Sequence, residues 1–123
     1  MYLIDSNIFI YFLKQNDGIV EFLEDLDEDR FAVSIVSRFE ILAGAEKESY
    51  SLKEIEDYLN DCDNIVLDSR VVTEALSMRR KLKKKLKFTD LVIAATARLH
   101  KKILITADKD FKNVPGLKVL VYK

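Results

Sequence analysis

Met1-Tyr2-Leu3-Ile4-Asp5-Ser6-Asn7-Ile8-Phe9-Ile10-Tyr11-Phe12-Leu13 opens the chain, and its reading decides the fold. A short apolar run leads straight into an acid. Such a run, ending in a polar turn and followed by a longer apolar segment, reads as a buried strand feeding a helix. Asp5 then stands at the carboxyl end of the first strand, where open parallel α/β sheets form their ligand crevice. Ser6 or Asn7 starts the helix. Its body, Ile8 to Leu13, is apolar on every side, so two surfaces must cover it. The sheet is one; more of the same chain, or a partner, is the other.

The same alternation continues. Asp17-Gly18 breaks the pattern, and Ile19, Val20, Phe22, Leu23 and Leu26 then recur at helical spacing. Phe31-Ala32-Val33-Ser34-Ile35-Val36 is a β-branched run and reads as strand two. Ser37 opens the next helix with Glu40 in its first turn, and Ser37-x-x-Glu40 fits a capping box. Gly44 inside that helix costs up to about 1 kcal/mol relative to Ala, which predicts a close packing contact there. Ser51 to Cys62 is amphipathic on Leu52, Ile55, Tyr58 and Leu59. Ile65-Val66-Leu67 is a third strand, and Asp68-Ser69 caps a helix running from about Val71 into a basic run. Thr89 or Asp90 starts a helix from Leu91 to His100, whose Ala94, Ala95 and Ala97 permit close approach. Lys102 to Thr106 is strand four. Asp108 to Phe111 and Pro115-Gly116 are turns, and Leu117 to Tyr122 is strand five. Strands alternating with helices predict an α/β fold: a three-layer α/β/α domain around a parallel sheet of about five strands, occupying residues 1–123 as one domain.

Composition narrows the class. Hydrophobic residues make up 49% and charged residues 33% of the chain, as in an ordinary globular domain. No run approaches the roughly 18 apolar residues of a membrane span. The first residues lack the basic region and small-residue cleavage site of a secretory signal, so a cytoplasmic location is expected. One cysteine, Cys62, and one histidine, His100, cannot build a disulfide or a zinc site. Cys62 reads as core filler and His100 as structural. The net charge of −1 is not the bulk signature of a nucleic-acid binder. Its distribution says more. Asp17 to Asp29 holds seven acids and no base, whereas seven of the nine residues from Arg79 to Lys87 are Lys or Arg. A local phosphate-binding face on a nearly neutral protein is consistent with that asymmetry.

Four acids stand at comparable places: Asp5 and Asp108 after strands, Glu40 and Asp90 at helix starts. Each has an ordinary structural role, as a cap, a dipole partner or a turn residue. Asp68 has only that role, since its strand should lie toward an edge. Jointly the four imply something else. If strands one and four are neighbours, Asp5 and Asp108 open into one crevice, which Glu40 and Asp90 can reach. Carboxylates about 4 Å apart repel by roughly 4 kcal/mol per pair at an effective dielectric of 20. A hard divalent cation such as Mg²⁺ supplies the missing counter-charge. Held there, it suits phosphodiester hydrolysis. Ser6, Asn7 and Thr106 are polar neighbours suited to orienting the ligands.

The residues also carry a family resemblance. Leu3-Ile4-Asp5-Ser6-Asn7-Ile8, Ser37-Arg38-Phe39-Glu40-Ile41-Leu42-Ala43-Gly44, Thr89-Asp90-Leu91-Val92-Ile93-Ala94-Ala95-Thr96-Ala97 and Leu104-Ile105-Thr106-Ala107-Asp108-Lys109-Asp110-Phe111 resemble the four motif blocks of PIN-domain ribonucleases. The likeness is greatest to VapC-type toxins of toxin–antitoxin pairs, in order and spacing over essentially the whole chain. It implies a sheet ordered 3-2-1-4-5, Mg²⁺ or Mn²⁺ dependence and endonucleolytic cleavage of RNA. It also implies a homodimer and an antitoxin that covers the active site. Asp5, Glu40, Asp90 and Asp108 match the family's acidic positions. Asp5, Asp90 and Asp108 are then the expected metal ligands, with Glu40 direct or through water and Asp110 a further candidate. Phe88-Thr89 stands where a proline is frequent. The basic run ends three residues before Asp90, so Arg79, Arg80, Lys81, Lys83, Lys84, Lys85 and Lys87 are expected to include the RNA-backbone contacts. The helices Ile8–Leu13 and Ile19–Leu26 are the expected apolar surface for partner and second copy.

Three rivals remain at the level of sequence. A phosphoryl-accepting signalling module usually has adjacent acids after strand one, where this chain has Asp5-Ser6-Asn7. A haloacid-dehalogenase-like phosphatase needs an acid at the place of Asn7. A catalytically silent PIN scaffold serving as a binding protein is the non-enzymatic alternative.

Overall fold

The structure, a computed structural model, describes residues 1–122. In chain order its elements are β1 (Tyr2–Ile4), α1 (Ser6–Leu13), α2 (Asp17–Asp25), β2 (Ala32–Ser34), α3 (Ile35–Lys47), α4 (Leu52–Asn60), β3 (Asp63–Ile65), α5 (Ser69–Lys81), α6 (Phe88–Leu99), β4 (Ile103–Thr106), a 3-10 helix (Lys109–Asn113) and β5 (Val119–Val121). The strands form one parallel sheet in the order β3-β2-β1-β4-β5, as the family resemblance implied. β1 pairs with β4 in the register Leu3↔Leu104 and Ile4↔Ile105.

Consecutive strand residues point to opposite faces, and the two cores divide accordingly. Leu3, Ala32 and Leu104 pack with α5, α6 and the 3-10 helix, through Val71, Met78, Ile93 and Phe111. Ile4, Val33 and Ile105 pack with α1 to α4, through Ile8, Ile19, Ile41, Ile55 and Leu59. The alanine-rich α6 is buried continuously from Leu91 to Ala97, the central helix its small residues predict. No helix among the described residues is long and apolar enough to cross a membrane.

Several boundaries differ from the sequence expectation, each for a local reason. α3 starts at Ile35, not Ser37. Ser34 ends β2 in extended conformation and its Oγ accepts the Ser37 N–H at 3.0 Å, so strand passes into helix with no loop between. The cap overrides the β preference of Ile35 and Val36. Glu40 therefore sits in the second turn, and no Ser37–Glu40 capping box exists. Asp17-Gly18 lies inside α2 rather than before it. Asn16 is the cap, its Oδ1 accepting from Ile19 N–H at 3.1 Å, and the break falls at Gln15, whose φ is 55°. α4 is shorter than Ser51–Cys62, with Ser51 as N-cap and Asp61 as C-cap.

β3 is Asp63–Ile65 and not Ile65–Leu67. The Asp63 N–H bonds the Phe31 carbonyl at 2.9 Å, which fixes pairing on two polar residues. An edge strand tolerates exposed polar side chains, and the apolar Val66 and Leu67 leave the sheet exposed. At Gly44 no packing contact exists: a Cβ built there meets nothing within 4 Å.

Candidate active site

β1 and β4 lie side by side at the centre of the sheet, so Asp5 and Asp108 emerge from adjacent strand ends. Asp5 is held on every side. Its N–H donates to the Ile105 carbonyl at 2.9 Å. Its Oδ1 accepts the Ser6 N–H at 2.8 Å, capping α1, and its Oδ2 accepts the Thr106 hydroxyl at 2.7 Å. The Thr106 Oγ1 in turn accepts the Asp108 N–H at 3.1 Å, and Asp108 Oδ1 accepts the Asp110 N–H at 2.9 Å. Asn7 closes the seam from the other side, its Oδ1 accepting the Ala107 N–H at 3.2 Å. Asn7 and Thr106 thus stitch the two strand ends together, and Ser6 holds Asp5 locally.

The electrostatics show which acids influence one another. Burial pushes the Asp5 carboxyl up to about 6; the Thr106 hydroxyl and Ser6 N–H oppose this, and the charges of Asp90 and Glu40 add to it. Glu40 arrives from the second turn of α3. Burial raises it, the Ser6 hydroxyl opposes, Asp90 raises it further and Lys87 lowers it. Asp90, in the first turn of α6, is raised by burial and then by Asp108, with Lys87 opposing and Asp110 adding. Asp90 is therefore the member felt by both the β1–α3 pair and the Asp108–Asp110 turn. A carboxylate in the first helical turn is normally stabilised by the macrodipole, and here desolvation and crowding outweigh it.

Three buried polar atoms among the described residues lack a hydrogen-bond partner, Glu28 Oε2, His100 Nε2 and Glu40 Oε1, and only the last lies among these acids. An orphaned carboxylate oxygen is costly unless something cationic or protic meets it. No group of three or more His, Cys, Asp or Glu side chains among the described residues forms a ready-made metal cage. Mg²⁺ does not need one: it keeps several waters and takes one or two carboxylates plus substrate phosphate oxygens. An all-oxygen donor set with an unsatisfied member fits such an ion. Cys62 takes no part; it lies beyond α4, and burial pushes its thiol up, away from nucleophile or ligand behaviour. Asp68 follows the edge strand and caps α5 through the Arg70 and Val71 N–H groups.

The basic run divides. Arg79, Arg80 and Lys81 complete the last turn of α5, and Lys83 to Lys87 form the connection to α6. Lys84 Nζ lies 3.4 Å from Asp110 Oδ1, and Lys87 offsets both Glu40 and Asp90. Arg79, Lys83 and Lys85 line a groove between α5 and α6. Two aromatic side chains beside the acids had no role in the sequence reading: Phe39, 73% exposed, and Phe88, 71% exposed. Their positions next to Glu40 and Asp90 were visible in the sequence; their exposure was not.

Comparison with known proteins accords with this geometry. The PIN domain family matches residues 2–117. The chain is 27% identical over 124 aligned residues to the tRNA(fMet)-specific endonuclease VapC of Shigella flexneri, covering 95% of this chain and 94% of that protein. It superposes on a toxin–antitoxin complex from Klebsiella pneumoniae with a TM-score of 0.87 at 29% identity, covering 100% of this chain and 99% of the other. VapBC2 of Rickettsia felis, bound to a DNA fragment from its promoter, shares the fold with a TM-score of 0.85 at 23% identity, covering 99% and 98% of the two chains. With the family matched over residues 2–117 and the parallel sheet in the order β3-β2-β1-β4-β5, the chain belongs to the PIN domain family.

Proposed function

We propose that the chain is a divalent-metal-dependent endoribonuclease, the VapC-type toxin of a toxin–antitoxin pair, acting as a single nuclease domain over residues 1–123. The observation that carries this reading is the unpartnered, buried Glu40 Oε1 among carboxylates that raise one another. Asp5, Asp90 and Asp108 are the residues to hold Mg²⁺ or Mn²⁺. A cation there supplies charge neutralisation at the phosphate and an acidified water. Each Asp5 oxygen already accepts one hydrogen bond and keeps a second lone pair free, so its ligating direction is set before any ion arrives. Glu40, raised from its ordinary value, is placed to take the proton of an attacking water. Thr106 fixes Asp5 and the Asp108 backbone together, and Lys84 engages Asp110, which leaves Asp108 the better ligand of that turn.

Two protein surfaces complete the proposal. The antitoxin occupies the grooves between α1, α2 and α4, lined by Phe12, Val20, Leu23 and Tyr58 and rimmed by Asp17, Glu21 and Glu24. Apolar walls with an acidic rim suit a partner segment of alternating apolar and basic residues. A second copy of this chain meets a different face, away from the grooves that α1 and α2 give the antitoxin. Ile35 and Phe39 on α3, with Val66 and Leu67 beyond the edge strand, are the exposed apolar residues there.

The test of the nuclease is cleavage of total RNA. The wild type should cut with Mg²⁺ and stop in excess chelator. Asp5→Asn and Asp90→Asn should each lose at least about 100-fold in rate, the scale of losing one electrostatic group of a catalytic site, with circular dichroism unchanged. Cleavage that persists in chelator, or in both variants, would sink the proposal.

A further inference from the structure

The groove between α5 and α6 encloses about 600 Å³, within the ~300–1,000 Å³ range of pockets that take small molecules. Val72, Leu76 and the ring of Phe88 give it an apolar wall, and Arg79, Lys83 and Lys85 supply cations. No acid lines it. Val72, Leu76 and Phe88 are 56%, 42% and 71% exposed, so the wall is open to an incoming group. Successive lysines of the connecting loop face different ways. Lys85 lines this groove, Lys83 stands between it and the neighbouring hollow that holds Asp110, Lys84 pairs with Asp110, and Lys87 offsets the acids. The loop is therefore a ridge of positive charge with the acidic crevice on one side and an aromatic groove on the other.

We propose that this groove receives an unpaired nucleobase flanking the scissile phosphate, stacked on Phe88, with Lys83, Lys85 and Arg79 on the neighbouring backbone. The inference rests on the ribonuclease reading of the acidic crevice. Phe88 lies two residues before Asp90 in the first turn of α6, so a strand whose phosphate sits among the acids passes over the ridge and reaches the ring within a nucleotide or two. An exposed ring beside backbone-directed cations is how single-stranded nucleic acid is gripped without base-edge readout. A duplex cannot offer the base, because its faces are already stacked. Charge also decides against a second copy as occupant. A two-fold contact at this groove would set Arg79, Lys83 and Lys85 against themselves, and like charges juxtaposed across an interface cost several kcal/mol.

The chain has no tryptophan, so Phe88→Trp is a reporter without background. In an Asp90→Asn protein, which leaves the RNA intact, a short single-stranded RNA should quench its fluorescence and the same sequence in a duplex should not. A Tyr58→Trp reporter, on the other face of the sheet, should stay unquenched by either. Phe88→Ala should weaken single-strand binding roughly tenfold, within the range for losing one stacked base, without changing its salt slope. Lys83→Ala and Lys85→Ala should each flatten the log–log salt slope by about 0.7. The proposal is overturned if bound RNA leaves Phe88→Trp unquenched, or if Phe88→Ala alters the mass in light scattering while RNA affinity stays the same. Should metal-dependent cleavage continue beside a silent reporter, the groove assignment fails and the nuclease stands. Should the wild type cut no RNA while the reporter is quenched, the nuclease reading fails and the groove remains an RNA site.

Discussion

Asp5 answers two demands with one side chain. It caps α1 through the Ser6 N–H and it presents a desolvated carboxylate to Glu40 and Asp90. The structural and functional readings of an acid at a strand end are therefore compatible, and a capping bond is no argument against a site. The pH dependence separates the two. In the folded chain Asp5 keeps its proton to about pH 6, against an ordinary value of 3.8. The native state thus binds more protons than the unfolded state across that window, so stability falls as pH rises from about 4 to about 6. Glu40 and Asp90 are shifted in the same direction and add to the decline. In chelator the Asp5 contribution to this loss of stability is on the order of 3 kcal/mol by pH 7. Urea midpoints at pH 4, 5, 6 and 7 should show a decline in the wild type that is shallower in Asp5→Asn. Mg²⁺ at pH 7 should raise the wild-type midpoint and leave Asp5→Asn nearly unmoved, since it binds the folded site only. Parallel profiles for the two proteins would place the ion elsewhere.

The elements were legible in the sequence where periodicity was long, as in α5 and α6, and least so where a cap or a backbone pairing decided the boundary. Ser34 rather than Ser37 starts α3 because its hydroxyl reaches the third N–H; the β-branched pair that follows gave no hint of this. β3 was displaced because Asp63 and Asn64 pair through their backbones while Val66 and Leu67, the better strand formers, do not. The two helical glycines make the same point about packing. Gly44 has open space around its missing Cβ, whereas a Cβ on Gly18 would strike the Tyr122 hydroxyl. That hydroxyl donates to Asn16 Oδ1, and its ring packs on Tyr11 and Phe22. Gly44→Ala should therefore stabilise by about 0.5–1 kcal/mol, the helix-interior difference between the two residues. Gly18→Ala should be neutral or destabilising, because Tyr122 must move, and Tyr122→Phe should restore the helix-propensity gain. Denaturant midpoints at constant m-value read both; a stabilising Gly18→Ala in the wild-type background would mean that Tyr122 does not hold α2.

At the scale of the whole molecule, sheet order brings the acids together, and that order was legible only through the motif blocks. Alternation of strands and helices gives a parallel sheet but not which strands adjoin. The chain's external surfaces were less legible still. Of Ile8–Leu13, Ile8 and Phe9 are buried, Ile10, Phe12 and Leu13 are half-buried and Tyr11 is exposed, so only part of that helix is left for a partner. Exposure concentrates instead on side chains that sequence pattern does not flag, since a lone Phe39 or Val66 reads as ordinary amphipathic content. The proposed second copy and the proposed antitoxin then lie on separate surfaces, α3 with the edge beyond β3 for one and the α1–α2–α4 grooves for the other. They should be separable by mutation. Phe39 and Val66 are 73% and 60% exposed, so Asp in either place leaves the core untouched while putting charge into a self-complementary apolar contact. Light scattering should find twice the chain mass for the wild type and a shift toward the single-chain mass for Phe39→Asp and Val66→Asp, with co-purification of the small partner retained. Tyr58→Asp, on the groove side and 51% exposed, should do the reverse, losing the partner and keeping the dimer. A strictly monomeric wild type, or Asp variants that stay dimeric, would remove α3 as the contact between copies.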